Sequence, residues 1–449
     1  MFSIMSAILF IFILSTALAL DRQHPYLSAS AALAKWIHRQ DAISLAHVLA
    51  NIAPTSDPRA LPGSVCASPS RSHPDYYYMW TRDSALVMRE LTHWQPSALD
   101  DYAGLTEYLQ TLDTRYGLGE AKFHMDGSAF TKEWCNAQND GPASRATTIL
   151  RYAEQLGGHS WLFKKVVVRD LDYIADVWHH NSSCDIWEEA RGLHFYTLMA
   201  QRTALEQGTQ WASKMNDPAR SKEYARVAGE ISAVLPRFWD PQRGYIVATV
   251  EHSGGIESKV SNLDAQVLLA ALHTGAGVGA PELIKTVVRL VQDSSSAYPI
   301  NRVTVTEIDG VRVPMGAAVG RYPEDVYDGV HTRGGNPWSL ITSAVAEYHY
   351  RLALEFVFGN VGEAAVTGDL AGLTNHTNAS HGSIVLQLLE AGDRYMARVA
   401  RHTNADGTMH EQWDAHTGYG RGAIHLTWSY VAHMSASRYR QQLVSHINY

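Results

Sequence analysis

The sequence predicts an all-α protein with small β-hairpins confined to its loops. Between residues 27 and 442, about twelve stretches carry apolar residues at steps of three and four, as amphipathic helices do. Only two segments alternate like strands, and no Pro-, Ser- or Thr-rich linker marks a second domain. An even set of helices is compatible with six pairs closed into an α/α barrel. Periodicity alone does not distinguish that barrel from an α-solenoid or a less regular bundle.

The first 20 residues resemble a secretory signal peptide. They carry no charge and contain an apolar run from residue 7 to 14, with small residues at 17 and 19 before a polar segment. The basic start typical of such signals is missing, so an uncleaved anchor is the alternative, although the run is short for a membrane span. We expect an exported mature chain, residues 21 to 449, with no membrane attachment after cleavage. Three glycosylation sequons agree with export and begin at Asn181, Asn375 and Asn378.

Helical spacing is clearest in residues 99 to 115 and 164 to 180. Asp217 before Pro218 predicts an N-cap with proline at the first helical position, and Asn336-Pro337 repeats that pattern. The predicted helices are 27 to 52, 83 to 93, 99 to 115, 142 to 155, 164 to 180, 191 to 214, 218 to 237, 262 to 274, 280 to 293, 337 to 358, 382 to 402 and 423 to 441.

Two segments, 244 to 250 and 302 to 313, alternate well enough to be hairpin arms, and Asp309-Gly310 supplies a strong turn signal in the second. Long loops separate several helices, and loops of this size in a compact domain are usually functional. They cover residues 53 to 82, 116 to 141, 294 to 336 and 403 to 422.

Composition excludes several classes of protein. A formal net charge of −8 argues against nucleic-acid binding, which needs clustered cations. Three cysteines cannot form a disulfide framework, and at most one bridge can form, with the pairing left open. The chain has no zinc-protease, phosphate-loop or serine-hydrolase motif. We therefore expect no metal or other cofactor.

Polar and aromatic residues cluster in or beside the long loops. Arg82 and Asp83 offer a donor fork and an acceptor suited to vicinal hydroxyl groups, although local pairing at a helix start is the alternative. Indole rings such as Trp134 can stack on sugars or simply belong to the core. Glu188 and Glu411 each lie within two residues of a tryptophan. Two carboxylates in aromatic surroundings are the minimum equipment for cleaving a glycosidic bond, whereas acidic placement at a helix start would explain Glu188 alone.

Five segments together, in order along residues 25 to 442, resemble the catalytic domain of fungal glucoamylases, the glucan 1,4-α-glucosidases of glycoside hydrolase family 15. The segments are Asp75 to Asp83; Gly117 to Lys122 with Trp134 to Pro142; Asp185 to Glu189; Gly320 to Asp325 with Asn336 to Trp338; and Glu411 to Asp414 with Leu426 to Tyr430. This resemblance implies an (α/α)6 barrel and exo-acting, inverting release of β-D-glucose from starch and maltooligosaccharides. It implies no cofactor, and we expect a monomer.

The same resemblance implies roles for individual residues. Glu188 would be the general acid and Glu411 the general base, with carboxyl groups about 6.5 to 9.5 Å apart so that a water fits between them. Glu189 would contact the leaving sugar. The other positions that match sugar-binding or pocket-lining residues of the family are Tyr76, Trp80, Arg82, Asp83, Trp134, Ile186, Trp187, Arg321 and Trp338.

The sequence also departs from the family pattern. Gly422 and His410 stand where serine is common, which affects the expected tuning of Glu411, and Cys135 to Ala137 replace a common Gly-Arg-Pro. We expect no starch-binding module after the last predicted helix, and therefore poor activity on raw starch. Two alternatives stay open: a catalytically silent carbohydrate-binding protein on the same scaffold, and a glucosidase for another α-glucoside such as trehalose.

Overall fold

Twelve helices of nine or more residues make up about half of the described chain in a computed structural model that describes residues 25–362, 369, 372–373 and 384–447. The predicted signal peptide and the sequons at Asn375 and Asn378 lie outside these residues. The helices, including one short one, are α1 Pro25–Ala50, α2 Thr81–Trp94, α3 Ala98–Leu109, α4 Asp140–Gln155, α5 Ser160–Leu162, α6 Val168–Val177, α7 Phe195–Lys214, α8 Pro218–Val234, α9 Gln266–Thr274, α10 Pro281–Ala297, α11 Ser339–Val357, α12 Ile384–His402 and α13 Thr427–Ile447.

Six of these helices form a closed inner ring. Helices α2, α4, α7, α9 and α11 each contact the next along the chain, α13 follows α11, and α13 returns to α2. The outer helices α1, α3, α6, α8, α10 and α12 pack on this ring, and each precedes an inner helix. Inner helices are buried on all sides, as α11 shows from Ser339 to Leu354, whereas α10 buries one face at steps of three and four. The predicted (α/α)6 barrel is therefore confirmed.

The strands form five two-stranded antiparallel sheets in the described residues. They are β1 Met79–Trp80 with β2 Lys122–Phe123, β3 Ala190–His194 with β6 Thr249–Gly255, β4 Trp239–Asp240 with β5 Tyr245–Ile246, β7 Val305–Ile308 with β8 Val311–Pro314, and β9 His410–Trp413 with β10 Gly420–Ile424. The hairpin predicted around Asp309-Gly310 is confirmed, with both residues at positive φ as a two-residue turn requires.

Some predicted boundaries were wrong. The helix predicted from residue 191 begins at Phe195, because Ala190–His194 pairs with β6 instead. Segment 244 to 250 is split between β5 and β6, which belong to different sheets. The predicted loop 403 to 422 contains β9 and the start of β10. For Ala190–His194, pairing with a distant segment overrides local periodicity, whereas β5 and β9 each pair with a nearby strand in a hairpin.

The two predicted proline-led helix starts have different outcomes. Asp217 caps α8 by accepting a hydrogen bond from the Arg220 amide at 3.1 Å, as predicted. Asn336 does not cap α11, which starts at Ser339 after Trp338. Its side chain donates to Gln412 Oε1 and accepts from the Ala415 amide, both at 2.9 Å, and so holds the β9–β10 hairpin instead.

Three further features complete the fold. Cys135 and Cys184 form a disulfide, so one bridge exists as the count allowed, and Cys66 is free and buried. Within the described residues, none of the helices has the length and apolar character needed to cross a bilayer. One large apolar cluster spans both rings of helices, and a smaller one, including Met79 and Phe123, lies under the first long loop.

Candidate active site

A cavity of about 500 Å³ lies at the N-terminal ends of the inner helices. The connections that run from outer to inner helices are long, and they reach the N-terminal ends of the inner ring. All twelve residues predicted for catalysis or substrate binding line this one cavity. They are Tyr76, Trp80, Arg82, Asp83, Trp134, Ile186, Trp187, Glu188, Glu189, Arg321, Trp338 and Glu411.

Glu188 sits on a tight turn rather than at a helix start. Its φ is +65°, in the left-handed region that costs a non-glycine residue about 1–3 kcal/mol. Asp185 holds the turn, because its side chain accepts from the amides of Glu189 and Ala190 at 2.8 and 3.2 Å. Burial opposes ionisation of Asp185, but Lys259 at 2.7 Å, His194 and the Glu189 amide together outweigh burial and lower the pKa of Asp185 to about 2. The strained turn is therefore anchored by a permanent charge.

The Glu188 carboxyl has a defined hydrogen-bonding pattern. Its Oε1 accepts from Trp80 Nε1 at 2.6 Å and from Gln138 Nε2 at 2.8 Å. Arg82 fixes the orientation of that amide by donating to Gln138 Oε1 at 2.9 Å. No described residue bonds Oε2. Since both donors face Oε1, a proton on this carboxyl belongs on Oε2, the oxygen left for a substrate.

Glu411 lies on β9 and is only 1% exposed. Burial raises its pKa to about 8, although hydrogen bonding to the Ala423 amide and to Tyr76 opposes the rise. The Ala423 contact to Oε2 is long, at 3.3 Å. Tyr76 is itself held by Tyr327, with the two hydroxyl oxygens 2.9 Å apart. This carboxyl is thus an unusually basic group for its type.

Gly422 is the backbone position that makes room for Glu411. It occurs at an irregularity in the β9–β10 pairing with φ of +68°. A Cβ at Gly422 would overlap Glu411 Oε2. Position 422 therefore carries no side chain, and the Glu411 carboxyl occupies the space that a side chain there would fill.

Glu189 is surrounded by cations and a phenol. It accepts from Arg321 Nη2 and from Tyr322 at 2.8 Å each, and Lys259 lies at 3.2 Å. Arg321 also makes a two-pronged ion pair with Asp325 through Nε and Nη2. Its Nη1 has no acceptor among the described residues, so this nitrogen remains for a ligand.

Three lining residues contribute polar atoms that are buried without a hydrogen-bond partner among the described residues: Arg82 Nε, Asp83 Oδ2 and Trp338 Nε1. Burial raises the pKa of Asp83 to about 6, while the neighbouring Arg82 guanidinium, 3.3 Å away, opposes the rise. An unpaired buried polar group costs about 1–3 kcal/mol. All three residues line the one cavity, so a ligand there meets polar side chains, which suits a molecule rich in hydroxyl groups.

Aromatic rings line the outer part of the cavity around a lysine. Lys122 Nζ lies 3.1 Å from the centroid of the Trp134 ring and 4.4 Å from that of Trp80. Burial lowers the pKa of Lys122 to about 8. Trp134 is 37% exposed, so its role as core is excluded and one face is free to stack on a sugar.

Comparison with known proteins agrees with this geometry. The sequence model of "Glycosyl hydrolases family 15" matches residues 42–438. The chain belongs to this family. Glucoamylase 1 of Rhizopus oryzae is 32% identical, with 91% of this chain and 71% of the relative covered. The intracellular sporulation-specific glucoamylase of Saccharomyces cerevisiae is 31% identical over 92% of this chain and 85% of the relative. The predicted glucoamylase-type glycoside hydrolase is thereby confirmed.

Solved structures of family members superpose over most of the chain. The glucoamylase of Saccharomycopsis fibuligera matches with a TM-score of 0.81 and 28% identity, over 92% of this chain and 96% of that chain. The family 15 glucoamylase of Hypocrea jecorina gives 0.79 and 30%, over 92% and 73%.

Some site residues of this family 15 enzyme were missed by sequence reasoning. Lys259 and Tyr322 hold Glu189, and Tyr327 lines the cavity and bonds Tyr76. Lys259 belongs to no motif, so no local signal marked it. Gln138 was noticed only as part of a cluster, because its contact to Glu188 depends on the disulfide-linked loop fold.

Proposed function

We propose that the chain removes terminal α-1,4-linked glucose from starch, maltodextrins and related glucans, with inversion to β-D-glucose. One observation carries the proposal: Glu188 and Glu411, from separate loops, line a single cavity together with Arg82, Asp83 and Arg321, whose side chains suit sugar hydroxyl groups. Family membership and relatives named glucoamylases support the glucosidase class and starch as substrate. The inverting course is an extension from the resemblance of the five sequence segments.

Glu188 is the proposed general acid. Trp80 and Gln138 donate to Oε1, so the acidic proton on Oε2 is the one delivered to the glycosidic oxygen as the C–O bond breaks. The resulting carboxylate keeps both hydrogen bonds, which stabilise its new charge. Arg82, acting through Gln138, is a positioning residue for this step.

Glu411 is the proposed general base. A carboxylate whose pKa is raised by burial accepts a proton more readily than an exposed one, which suits removal of a proton from the attacking water. The water oxygen then forms the new bond to the anomeric carbon, and the proton resides on Glu411. The carboxyl groups of Glu189 and Asp83 line the cavity, where carboxylate charge would stabilise developing positive charge on the sugar.

The remaining lining groups are proposed to bind the terminal sugar. Arg82, Asp83, Arg321 and Trp338 offer hydrogen-bonding atoms to hydroxyl groups, and Tyr76, Trp80, Trp134, Ile186 and Trp187 shape the walls. Glu189 is proposed to contact the leaving sugar.

The decisive experiment measures glucose release from maltose, soluble starch, isomaltose and trehalose, with the anomer of fresh product followed by NMR. We expect release from maltose and starch, with the β-anomer first. Initial release of α-glucose would contradict the inverting mechanism. A preference for trehalose would establish that the enzyme is a glucosidase for another α-glucoside. Maltose binding without hydrolysis would support the alternative that the chain is a catalytically silent carbohydrate-binding protein.

We also propose that the enzyme is exported and glycosylated, and acts as a monomer. The uncharged apolar start of the sequence, the Cys135–Cys184 disulfide and the exposed sequon at Asn181 support export. Expression of the full chain in a yeast host tests this: we expect enzyme in the medium whose mass falls after deglycosylation. Retention inside the cell at full mass would contradict export.

A further inference from the structure

A second cavity, of about 450 Å³, lies at the opposite end of the inner ring. All six inner helices contribute to its wall, so it is centred on the barrel axis. We call it the arginine cavity, because its lining includes Arg89, Arg151, Arg351 and Arg438. No residue of the active-site cavity lines it.

The arginines are only partly neutralised by carboxylates. Arg438 pairs with Glu90 at 2.9 Å, and Arg351 pairs with Glu347 at 3.0 Å. Arg89 donates to carbonyl oxygens at the end of α9, with no carboxylate in ion-pair range among the described residues. Arg151 forms no hydrogen bond or ion pair with any described residue and is exposed to the cavity mouth. Two positive charges are therefore uncompensated.

Capping of helix ends explains part of this arrangement. Cations favour helix C-termini, and Arg89 and Arg351 both donate to the Leu272 carbonyl of α9. That role does not account for Arg151. Glu154 at the rim does not neutralise it either, since Glu154 pairs with Lys214 at 3.4 Å.

Neighbouring groups show that the region is electropositive. Burial, together with the charges of Arg438, Arg151 and Arg89 and against that of Glu90, lowers the pKa of His93 to about 4. Burial and the charges of Arg89 and Arg351 also hold His273 neutral. The Tyr439 ring lies 4.3 and 4.7 Å from the guanidinium carbons of Arg438 and Arg351, and so restrains both groups.

We propose that the arginine cavity binds a phosphate group as its dianion, either free phosphate or a small phosphomonoester. Guanidinium groups match the geometry of phosphate oxygens, and two uncompensated positive charges match a dianion. The cavity volume admits a phosphate with a small organic substituent.

The test is isothermal titration calorimetry of the full-length enzyme with inorganic phosphate and, separately, with glycerol 3-phosphate, at constant ionic strength and pH 8. Arg151→Gln and Arg151→Glu are the test variants, because Arg151 has no partner whose loss would disturb folding. Arg302→Gln, an exposed arginine outside both cavities, is the matched control for the same loss of charge.

We expect saturable binding of at least one probe to the wild-type enzyme and to Arg302→Gln. Arg151→Gln should bind about tenfold more weakly, and Arg151→Glu should not bind detectably. Tighter binding of glycerol 3-phosphate than of phosphate would identify a phosphomonoester as the ligand, and the reverse order would identify free phosphate. Unchanged affinity in both Arg151 variants, or no saturable binding in the wild type, would overturn the proposal.

Discussion

The two ends of the inner ring carry opposite chemistry on the same six helices. At the N-terminal end the cavity is lined by five carboxylates, those of Asp75, Asp83, Glu188, Glu189 and Glu411. At the C-terminal end the lining has four arginines and one carboxylate. Aligned peptide dipoles favour anions at helix N-termini and cations at C-termini. The ring therefore favours acidic side chains at one end and basic side chains at the other. Ordinary helix electrostatics thus favours a carboxylate-based catalytic site at one end.

The ends differ in construction as well. Three connections from inner to outer helices are short, those at residues 95–97, 215–217 and 275–280, and the C-terminal cavity is lined mainly by helix side chains. Connections into the inner helices are long, and carry turns and hairpins that position Glu188 and Glu411. Long loops give freedom to place catalytic groups, whereas helix faces give a fixed wall.

The sharpest test of this comparison is removal of one carboxylate at the N-terminal end. Glu188→Gln or Glu411→Gln should lower kcat on maltose by about three or more orders of magnitude with KM changed little, because each removes a proton-transfer step. Steady-state kinetics measures this. Glu206→Gln, an exposed carboxylate outside both cavities, is the matched control and should keep wild-type rates. Activity within tenfold of wild type in both test variants would refute the roles assigned.

Gly422→Ala tests how closely the backbone at position 422 packs against the Glu411 carboxyl at the N-terminal end. The added methyl group would overlap the Glu411 carboxyl at a backbone position with positive φ, so we expect kcat to fall by about 10- to 100-fold. Gly244→Ala imposes similar backbone strain, with φ of +74°, but meets open space. It should lose about 1 kcal/mol of stability without loss of kcat. Equal kinetic effects in the two variants would show that strain alone, and not contact with Glu411, matters.

Tyr76→Phe tests how Tyr76 affects the pKa of Glu411, the proposed general base. The Tyr76 hydroxyl lowers the pKa of Glu411, so its loss should raise that pKa and leave less carboxylate at acidic pH. We expect the acidic limb of the kcat/KM profile to move to higher pH by about 0.5–1 unit. The exposed Tyr108 supplies the control Tyr108→Phe, whose profile should match wild type. An unmoved acidic limb in Tyr76→Phe would argue that another group sets it.

The smallest expected effect is on stability. Because the pKa of Glu411 is raised in the folded state, folding binds a proton between the ordinary glutamate pKa and about pH 8. This carboxyl therefore favours folding most at acidic pH, and its contribution declines as pH rises through that interval. Glu411→Gln should raise Tm by on the order of 1–3 °C at pH 8 and by less at pH 5, measured by calorimetry. A Tm increase independent of pH would show that ionisation of Glu411 is not the cause.

Much of the N-terminal end could be predicted because its residues occur in compact motifs. The two carboxylates, the Arg82-Asp83 pair and the tryptophans were all recognisable within short segments, and all reach one cavity. Lys259 could not be predicted as a site residue, since its role depends on ion pairs with Asp185, Glu189 and Asp264 that form only in the folded chain. The arginine cavity had no sequence signal either, because its members are spread over four helices as single residues in amphipathic patterns.

The sequence by itself determined the helices, because apolar spacing within a segment decides which face is buried. It also determined which loops are long, and hence that function would gather there. Only the tertiary structure decided that Ala190–His194 is a strand, that Asn336 holds a hairpin instead of capping a helix, and which cysteines pair. Each of these depends on a partner far away in the chain, and local sequence carries no information about that partner until the barrel closes.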